Sequence, residues 1–446
     1  MNKYESYKKV NLPWLNEIPS HWEFIKLKRI ANFITGNSIK DEDKPKYSNN
    51  NFSRIYVSTS DIDGNSMKIK HKSNIYIPVD NKHFKISKKG STLVCIEGGS
   101  GGKKVAFVYS DVNFGNKLCS IKANDLVDKF IYYVILSQVF KTYFQLKING
   151  DRNGVSLENI GNFLFPLPPI SEQEQIANYL DWKINEVDKL ILVEKEKINQ
   201  IKKLIKLKIN NYFENIMKFS KDNKRLRFLY NFQNGISTSK DYINGTYPFL
   251  TYSDVYGNLL LPEKLSGKIN STKQEQDIYS IKKGDLFFTR TSEKIEDAAR
   301  VSLALKDIEN AVFNGFTIRL RPNENNRLVD KFVLYYLDSD LVRHKILNKL
   351  NLVTRVSIKQ DILKDILIPI IKEDEQIKIV ENIESIRTNC LKKIKFIEQK
   401  INQLQLLKQS LIAEVVTGKI DVRDVVIPKY EKSTIIEEDE IEEMEV

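Results

Sequence analysis

The sequence contains six short clusters of side chains that can hydrogen-bond to nucleic-acid bases or phosphates. Hydroxyl, amide and guanidinium groups can read base edges, whereas lysine, arginine and small hydroxyl donors contact phosphates. Arginine is the best candidate for reading a base, because its contact with guanine is the commonest specific one. Ordinary exposed polar loops are the alternative for every cluster. The clusters are Ser58, Thr59 and Ser60; Ser100, Lys103 and Lys104; Arg152 and Asn153; Thr251, Tyr252 and Ser253; Arg290, Thr291, Ser292 and Lys294; and Thr354 and Arg355.

No pattern typical of catalysis or metal binding accompanies these clusters. A methyltransferase that flips adenine out of the duplex carries an Asn/Asp-Pro-Pro-aromatic motif, but Leu167 precedes the only Pro-Pro pair. The glycine run from Gly98 to Gly102 lacks the Gly-Lys-Ser/Thr of a phosphate-binding loop, which favours a flexible hairpin. The three cysteines show no Cys-x-x-Cys spacing, and no two of the four histidines are closely paired. We therefore expect no catalytic residue, metal or cofactor in this chain.

The charge is distributed unevenly along the 446 residues. The chain carries a formal charge of +12, but its last sixteen residues contain eight acids and one lysine. Because these sixteen residues carry −7, the rest of the chain carries +19. Such a basic body indicates a polyanionic partner, although a coding bias towards lysine and asparagine is the alternative. The sequence has no apolar signal region and no apolar run long enough to span a bilayer, so we expect a cytoplasmic protein.

The chain is an internal repeat. Five short segments recur in the same order at a nearly constant offset, and each series ends in a proline-containing stop. Within each repeat, short alternating runs predict strands, and one helix is expected over about 129–144 in the first copy and 331–347 in the second. The matched pairs are 27–36 with 226–235, 60–65 with 253–258, 86–90 with 280–284, 128–130 with 330–332, and 155–156 with 356–357.

A long amphipathic helix follows each repeat. Apolar residues recur at heptad spacing from Ile176 to Tyr212 and from Ile377 to Val415, and one position in the first series, Glu194, is charged. About 47 residues give a helix roughly 70 Å long, which is too long to bury its stripe in its own domain. We expect the two stripes to pair as an antiparallel coiled coil, and docking on separate proteins is the alternative. Ser171 is the expected N-cap of the first helix.

Three longer motifs lie near the start, the centre and the end of the chain. The first is Trp14-Leu-Asn-Glu-Ile-Pro-Ser-His-Trp22-Glu, near the start. The second is Leu167-Pro-Pro-Ile-Ser-Glu-Gln-Glu-Gln-Ile-Ala177, which ends the first repeat. The third is Leu411-Ile-Ala-Glu-Val-Val-Thr-Gly-Lys-Ile-Asp-Val-Arg423. These motifs resemble those of type I restriction-modification specificity subunits, and their order and spacing, together with the two repeats, extend the resemblance over about residues 12–425.

The resemblance implies a fold and a division of labour. It implies an α+β protein with two similar α/β target recognition domains, each reading one half of a split double-stranded DNA target. The paired helices would set the gap between the half-sites and dock two modification (methyltransferase) subunits. Those subunits transfer a methyl group to adenine N6, and restriction (translocase/nuclease) subunits complete the complex. S-adenosylmethionine, ATP and Mg would be bound by these partners, and the specificity subunit would be non-catalytic.

We therefore expect two recognition domains, two long helices and a short terminal region. The recognition domains are 1–169 and 219–370, and the long helices are 170–218 and 371–418. A terminal strand segment of 419–430 and an acidic disordered tail of 431–446 complete the chain. Two alternative functions remain: the specificity partner of a type II fused nuclease-methylase, and a coiled-coil scaffold that binds no DNA.

Overall fold

The chain forms two compact units. A computed structural model describes residues 2–48, 51–124, 126–148, 154–237, 245–293, 295, 297–350 and 356–431. The first unit comprises Met1–Lys195 and Glu398–Val446, and the second comprises Glu196–Ile397. Across these described ranges, no helix has both the length and the apolar character that crossing a membrane requires.

The first unit contains fourteen strands in its described residues and the start of a long helix. Helices α1 (Asp128–Leu136), α2 (Gln138–Leu146) and α3 (Leu157–Gly161) precede the long helix α4 (Ile170–Phe219), and short 3-10 helices span Leu27–Arg29 and Asp41–Tyr47. The strands are β1 (Tyr7–Leu12), β2 (Leu15–Pro19), β3 (Glu23–Lys26), β4 (Ala31–Thr35), β5 (Ser53–Val57), β6 (Ile62–Asp63), β7 (Lys68–Ile69), β8 (Tyr76–Pro78), β9 (Ile86–Ser87), β10 (Thr92–Cys95), β11 (Val105–Phe107), β12 (Val112–Phe114), β13 (Leu118–Ala123) and β14 (Leu164–Leu167).

The second unit has a similar set of elements, with differences among the smaller strands and helices. Its helices are α5 (Tyr252–Tyr256), α6 (Lys273–Ile278), α7 (Asp330–Asp338), α8 (Asp340–Leu347), α9 (Gln360–Lys364) and the first part of the long helix α10 (Glu373–Val416), with a 3-10 helix over Leu226–Phe228. The strands in its described residues are β15 (Asn223–Arg225), β16 (Tyr230–Asn234), β17 (Tyr247–Leu250), β18 (Gly267–Ile269), β19 (Leu286–Thr289), β20 (Thr291–Ser292), β21 (Val301–Leu303), β22 (Val312–Phe313), β23 (Thr317–Pro322), β24 (Val356–Ser357) and β25 (Leu367–Pro369).

The two units share one strand topology. The main sheet has the order β11-β10-β13-β4 in the first unit and β21-β19-β23-β16 in the second. A parallel pair follows in each, β5 with β12 and β17 with β22. One glycine in each unit allows a close approach: a Cβ on Gly36 or Gly235 would lie 1.9 Å from the carbonyl oxygen of Phe114 or Asn314, respectively. The internal repeat of the sequence is thus a repeat of whole domains.

The apolar stripes of the long helices are buried within each unit. In the first unit, Ile176, Leu180 and Ile184 of α4 share a core with Leu411 and Val415 of α10. In the second unit, Ile209 and Phe213 of α4 share a core with Val380 and Ile383 of α10. The ends of each predicted stripe therefore share a core with the other long helix, as expected for paired helices.

Two ion pairs fix the direction of the helices in the first unit. Asp188 contacts Lys408 at 2.8 Å, and Glu194 contacts Lys400 at 2.6 Å. Residue numbers therefore rise along α4 as they fall along α10, so the helices run antiparallel. Glu194, the charged residue of the predicted stripe, is buried here.

A buried glutamine joins each long helix to the domain before it. Gln173 donates from Nε2 to the carbonyl oxygen of Pro168 (2.9 Å) and accepts the amide of Val127 (3.4 Å). Gln376 does the same with Ile371 (2.9 Å) and Val329 (2.7 Å). The valines precede α1 and α7 as N-cap residues that lack a side-chain cap. Each glutamine therefore satisfies backbone groups from two elements at once.

The three motifs that carried the family resemblance meet around one carboxylate. Glu172 is buried and accepts hydrogen bonds from the Tyr4 hydroxyl and from Trp22 Nε1 (3.1 Å), and its other oxygen lies 3.0 Å from His21 Nε2. Gly418 has a φ of +72°, and a Cβ there would lie 3.2 Å from the Trp22 ring. The motifs at residues 14–23, 167–177 and 411–423 thus form one structural junction, in which His21 and Trp22 act as anchors.

The helix predicted in each domain is interrupted by a serine. Ser137 separates α1 from α2 and Ser339 separates α7 from α8, and both serines have extended backbone angles. Each hydroxyl donates to the carbonyl oxygen three residues earlier, at 2.7 Å for Ser137 and 2.5 Å for Ser339. Such local bonding competes with the helical ladder, so the single helices expected over 129–144 and 331–347 are wrong.

Two terminal features also differ from expectation. The first long helix begins at Ile170, so Ser171 lies inside it and is not the N-cap. The amides of Glu172 and Gln173 already bond to the carbonyl oxygen of Pro169, which starts the helix two residues earlier than an N-cap at Ser171 would. In the described residues from 419 to 430 no strand forms, because only Asp421 makes a bridge, to Asn2. Residues 432–446 of the predicted tail lie outside the described residues.

Replacing Glu172 with leucine tests whether the junction stabilises the fold. Glu172→Leu leaves Tyr4 and Trp22 as buried donors without their acceptor, and each should cost about 1–3 kcal/mol of unfolding free energy. Glu375 is the matched control, since it holds the equivalent position in the second repeat but is exposed. Glu375→Leu should change stability by less than about 0.5 kcal/mol. Equal losses in chemical denaturation of the two variants would contradict a special role for the junction.

Candidate nucleic-acid interface

A buried aspartate organises the first predicted cluster. Asp61 is fully buried, and its Oδ2 accepts hydrogen bonds from the amide (2.8 Å) and hydroxyl (2.6 Å) of Ser58. Its Oδ1 accepts the backbone amides of Lys72 (2.8 Å) and Ser73 (2.9 Å). The carboxylate therefore ties two loops together and uses the Ser58 hydroxyl to do so. Ser60 is exposed beside this anchor.

The second predicted cluster packs against the first. Lys104 donates from Nζ to the carbonyl oxygen of Thr59 at 2.6 Å. Lys103 is exposed and donates to Gly99 in its own loop (3.1 Å), while the amide of Lys103 bonds to the Ser100 carbonyl oxygen (3.0 Å). An ammonium group has three donors, so each lysine keeps donors beyond these bonds. Two clusters that are 40 residues apart in the sequence thus form one surface.

The second domain repeats the aspartate anchor. Asp254 is buried, and its Oδ2 accepts the amide and hydroxyl of Thr251, both at 3.0 Å. Its carboxylate also accepts the amide of Ser266, at 3.2 Å from Oδ1. Thr251 caps α5, and Asp254 completes the capping box of that helix. Asp61 and Asp254 therefore hold the preceding loop at equivalent places in the two domains.

Tyr252 connects two predicted clusters of the second domain. Burial raises the pKa of Tyr252, whereas hydrogen bonds with Ser292 and Thr289 lower it. Ser292 belongs to β20, which pairs with β24 in the register Ser292 to Val356. The cluster at 290–292 therefore lies beside Tyr252 on one side and beside the residues that follow 351–355 on the other.

Arg290 is held by the backbone around it. Its amide donates to the carbonyl oxygen of Phe316 (2.8 Å), and its own carbonyl oxygen accepts the amide of Ile358 (2.8 Å). Its Nη1 lies 3.4 Å from the carbonyl oxygen of Gly315. The equivalent contact in the first domain joins the Val155 amide to the Ile96 carbonyl oxygen at 3.0 Å. The loop and the Val-Ser segment are thus held together in both domains.

Sequence reasoning missed one part of this surface. The rings of Tyr252 and Tyr256 are stacked with centroids 5.7 Å apart, and the Tyr256 hydroxyl donates to Asp297 at 2.9 Å. The Arg300 guanidinium lies 5.8 Å from the Tyr256 ring and 3.6 Å from Asp297. The signal in the sequence was the four-residue spacing of the two tyrosines, which places them on one face of a helix.

Five predicted site residues fall outside the described residues: Arg152, Asn153, Lys294, Thr354 and Arg355. The structure therefore brings together the remaining members of each domain's clusters and leaves the contacts of these five as predictions. In the described parts of the chain, no three histidine, cysteine, aspartate or glutamate side chains are grouped as metal ligands.

Comparison with known proteins shows the family of this chain. The model of the type I restriction modification DNA specificity domain matches the chain twice, over residues 19–203 and 221–406. The chain belongs to this family. Each match covers one domain and most of the long helix after it, so the predicted family, the two recognition domains and the non-catalytic class of this specificity chain are confirmed.

Curated relatives and a solved structure support the same assignment. The chain is 28% identical over 218 residues to the type I restriction enzyme MjaVIII specificity subunit of Methanocaldococcus jannaschii, covering 46% of this chain and 48% of the relative. It is 22% identical over 318 residues to the EcoKI specificity subunit of Escherichia coli, covering 66% and 67%. The first match thus spans about half of that relative's length.

The fold is similar to that of a solved structure. This chain superimposes with a TM-score of 0.61 on a chain from a study of complex assembly and conformational transition of the type I R-M system. The identity is 17%, and the superposition covers 90% of this specificity chain and 99% of the other chain. This match supports the predicted fold class.

Removing the aspartate anchor should loosen the loops of one domain. Asp61→Ala leaves the amides of Lys72 and Ser73 without their acceptor, and we expect these amides to exchange faster with solvent. Each lost hydrogen bond to the carboxylate should lower the free energy of unfolding by at most about 1.5–3 kcal/mol. Hydrogen exchange measured by mass spectrometry over residues 56–75 reports the effect, with the exposed Asp80→Ala as control. Unchanged exchange in Asp61→Ala would show that the loops hold their shape without the carboxylate.

Proposed function

We propose that this chain is the DNA-sequence specificity subunit of a type I restriction-modification complex. Each recognition domain reads one half of a bipartite target, and partner subunits methylate adenine N6 or restrict the DNA. The observation that carries the proposal is the pair of equivalent aspartate anchors, Asp61 and Asp254, which hold different residues at the same place in two domains. Two readers of different half-sites need a common scaffold with different side chains.

The residues next to each anchor are the proposed readers. In the first domain, Thr59 and Ser60 follow the anchored Ser58, and in the second domain Tyr252 and Ser253 follow the anchored Thr251. Hydroxyl groups at these places can donate to and accept from base edges. The neighbouring lysines and arginines, with the +19 body, supply the phosphate contacts that position a reader on duplex DNA.

The remaining parts of the chain have separate roles in this proposal. Residues 1–169 and 219–370 are the recognition domains, and the helices of 170–218 and 371–418 set the spacing between half-sites. In the first unit, Leu190 and Val193 of α4 and Leu406 and Leu407 of α10 are exposed apolar residues on the helix pair. Exposed apolar groups favour a protein partner, and we assign them to the docking of two methyltransferase subunits. A cytoplasmic location follows, because the DNA and these partners lie there.

Methylome sequencing tests the proposal directly. Cells that express the chain with its partner subunits should gain one bipartite methylated adenine motif with a fixed gap. The double variant Thr59→Ala with Ser60→Ala should relax only the first half-site, and Ser253→Ala should relax only the second. Each lost base contact is worth about 1–3 kcal/mol of discrimination.

The two variants serve as controls for each other, because each leaves one half-site untouched. A change in both half-sites from either variant would contradict independent reading. A coiled-coil scaffold that binds no DNA predicts no methylated motif at all. It also predicts no duplex binding that weakens steeply as salt rises, which is the signature of phosphate neutralisation.

Shortening both helices tests their proposed role as a ruler. Deleting residues 188–194 together with 402–408 removes about one heptad from each helix, or roughly 10 Å of length at 1.5 Å per residue. Because one base pair occupies about 3.4 Å of duplex, the gap in the methylated motif should shorten by about three base pairs. Deleting only one of the two segments is the control and should abolish activity by breaking the pairing. An unchanged gap, or altered half-sites, would rule out the ruler.

A further inference from the structure

A groove rich in lysine lies within the first unit, beside the loops that Asp61 anchors. Two adjoining cavities of about 470 and 400 Å³ form it and share Met67, Leu136, Asp188 and Lys408 in their walls. We call it the lysine groove, and its cationic residues include Lys68, Lys70, Lys72, Lys141, Lys195 and Lys408.

The acids of the groove neutralise only part of this charge. Lys70 pairs with Asp63 at 3.4 Å, and Lys408 pairs with Asp188 at 2.8 Å. Among the described residues, no carboxylate forms an ion pair with Lys72 or Lys141. Burial lowers the pKa of Lys141, since its charge is partly removed from water without a compensating acid. The groove is therefore suited to an anionic occupant.

The chain itself leads into this groove. Tyr430 lines the wall of the larger cavity, and Asn185 Nδ2 donates to the carbonyl oxygen of Glu431 at 3.0 Å. The residues that follow, which we call the acidic segment (432–446), contain seven acids and one lysine. Fifteen residues can extend about 50 Å at 3.3–3.6 Å each, so the acidic segment has more than enough length to follow the groove.

The composition of the acidic segment matches both the lysines and the apolar side chains of the groove. Five apolar residues are interspersed with the acids: Ile435, Ile436, Ile441, Met444 and Val446. The groove is lined by apolar side chains as well as lysines, among them Met67, Leu136 and Ile412. A phosphate backbone would satisfy the lysines but offers no apolar groups to these side chains. The mixed character of the groove therefore favours the acidic segment over a nucleic acid.

We propose that the acidic segment binds in the lysine groove of its own chain. Its carboxylates pair with Lys72 and Lys141, and its isoleucines cover the apolar wall. Lys72 belongs to the loop whose amide is fixed by Asp61, so the bound segment occupies the flank of the first reading surface. Resting on the proposed function, this position makes the acidic segment an intramolecular competitor for DNA phosphates at the first half-site.

Zero-length carbodiimide cross-linking of the full chain, in its complex but without DNA, tests the docking. Acids of 437–445 should link to Lys72 and Lys141 about tenfold more often than to Lys9 and Lys28, exposed lysines of the same unit, since a few ion pairs at a surface bias a tethered segment by about that factor. Linking spread evenly over all four lysines, or absent from the groove, would overturn the proposal.

Hydrogen exchange gives a second readout that does not depend on cross-linking. Ending the chain after Glu431, or changing the seven acids of the segment to their amides, should speed exchange at residues 66–72. The amide variant separates the effect of charge from that of length, because it keeps the length and the apolar residues of the segment. If neither change affects these amides while duplex DNA still protects them, the groove belongs to DNA and the proposal fails. Because hydrogen exchange in the variants and in the full chain is compared without DNA, this result does not depend on the chain's role in methylation.

Discussion

The placement of each recognition domain depends on a buried glutamine at the start of a long helix. Gln173 and Gln376 each bond to a carbonyl oxygen before their own helix and to an amide at the start of α1 or α7. A buried amide or carbonyl group without a partner costs about 1–3 kcal/mol, so a domain that turned away from its helix would expose or orphan these groups. The side chain thus couples the orientation of the domain to the axis of the helix, and it does so twice in one chain.

Charge inside the helix pair serves a different purpose from its apolar stripe. Apolar residues at heptad spacing tolerate a shift by one heptad, because the stripe looks alike after seven residues. Asp188 with Lys408 and Glu194 with Lys400 have one matching alignment, since a shift by one heptad places Ile401 or Val415 opposite Asp188. Breaking a buried pair costs more than forming it gains, so such pairs act mainly on register. Under the proposed function, a constant register keeps the distance between the two half-sites constant.

The sequence predicted features that depend on repetition and periodicity. The order of matched segments indicated two equivalent domains, and the apolar spacing indicated two long paired helices. Prediction from the sequence was wrong where a single side chain interrupts a regular pattern. Ser137 and Ser339 interrupt apolar runs that otherwise read as one helix, and the helix of Ile170 begins before the apparent cap at Ser171. Ile420 to Ile427 has the apolar content of a strand, but among described residues 419–430 only Asp421 makes a β-bridge.

The sequence located the polar clusters of the candidate site in equivalent loops of the two domains, and their contact with DNA stays a prediction. It could not show that Ser58 and Lys104 use hydrogen bonds to hold these loops. That information lies in contacts between residues far apart in the chain, such as Lys104 with Thr59. The contacts of Tyr256 and Arg300 with Asp297 were not predicted, because only the fold brings these three residues together.

Both aspartate anchors bond mainly to backbone amides, and this has an evolutionary consequence. Every residue except proline offers an amide, so Lys72, Ser73 or Ser266 can be exchanged for almost any other type without loss of the anchor. Mutations that alter the chemistry of these loops therefore carry little penalty in folding. Under the proposed function, a lineage can explore new base preferences through neutral drift in these loops, one domain at a time, while the carboxylates keep the loop geometry unchanged.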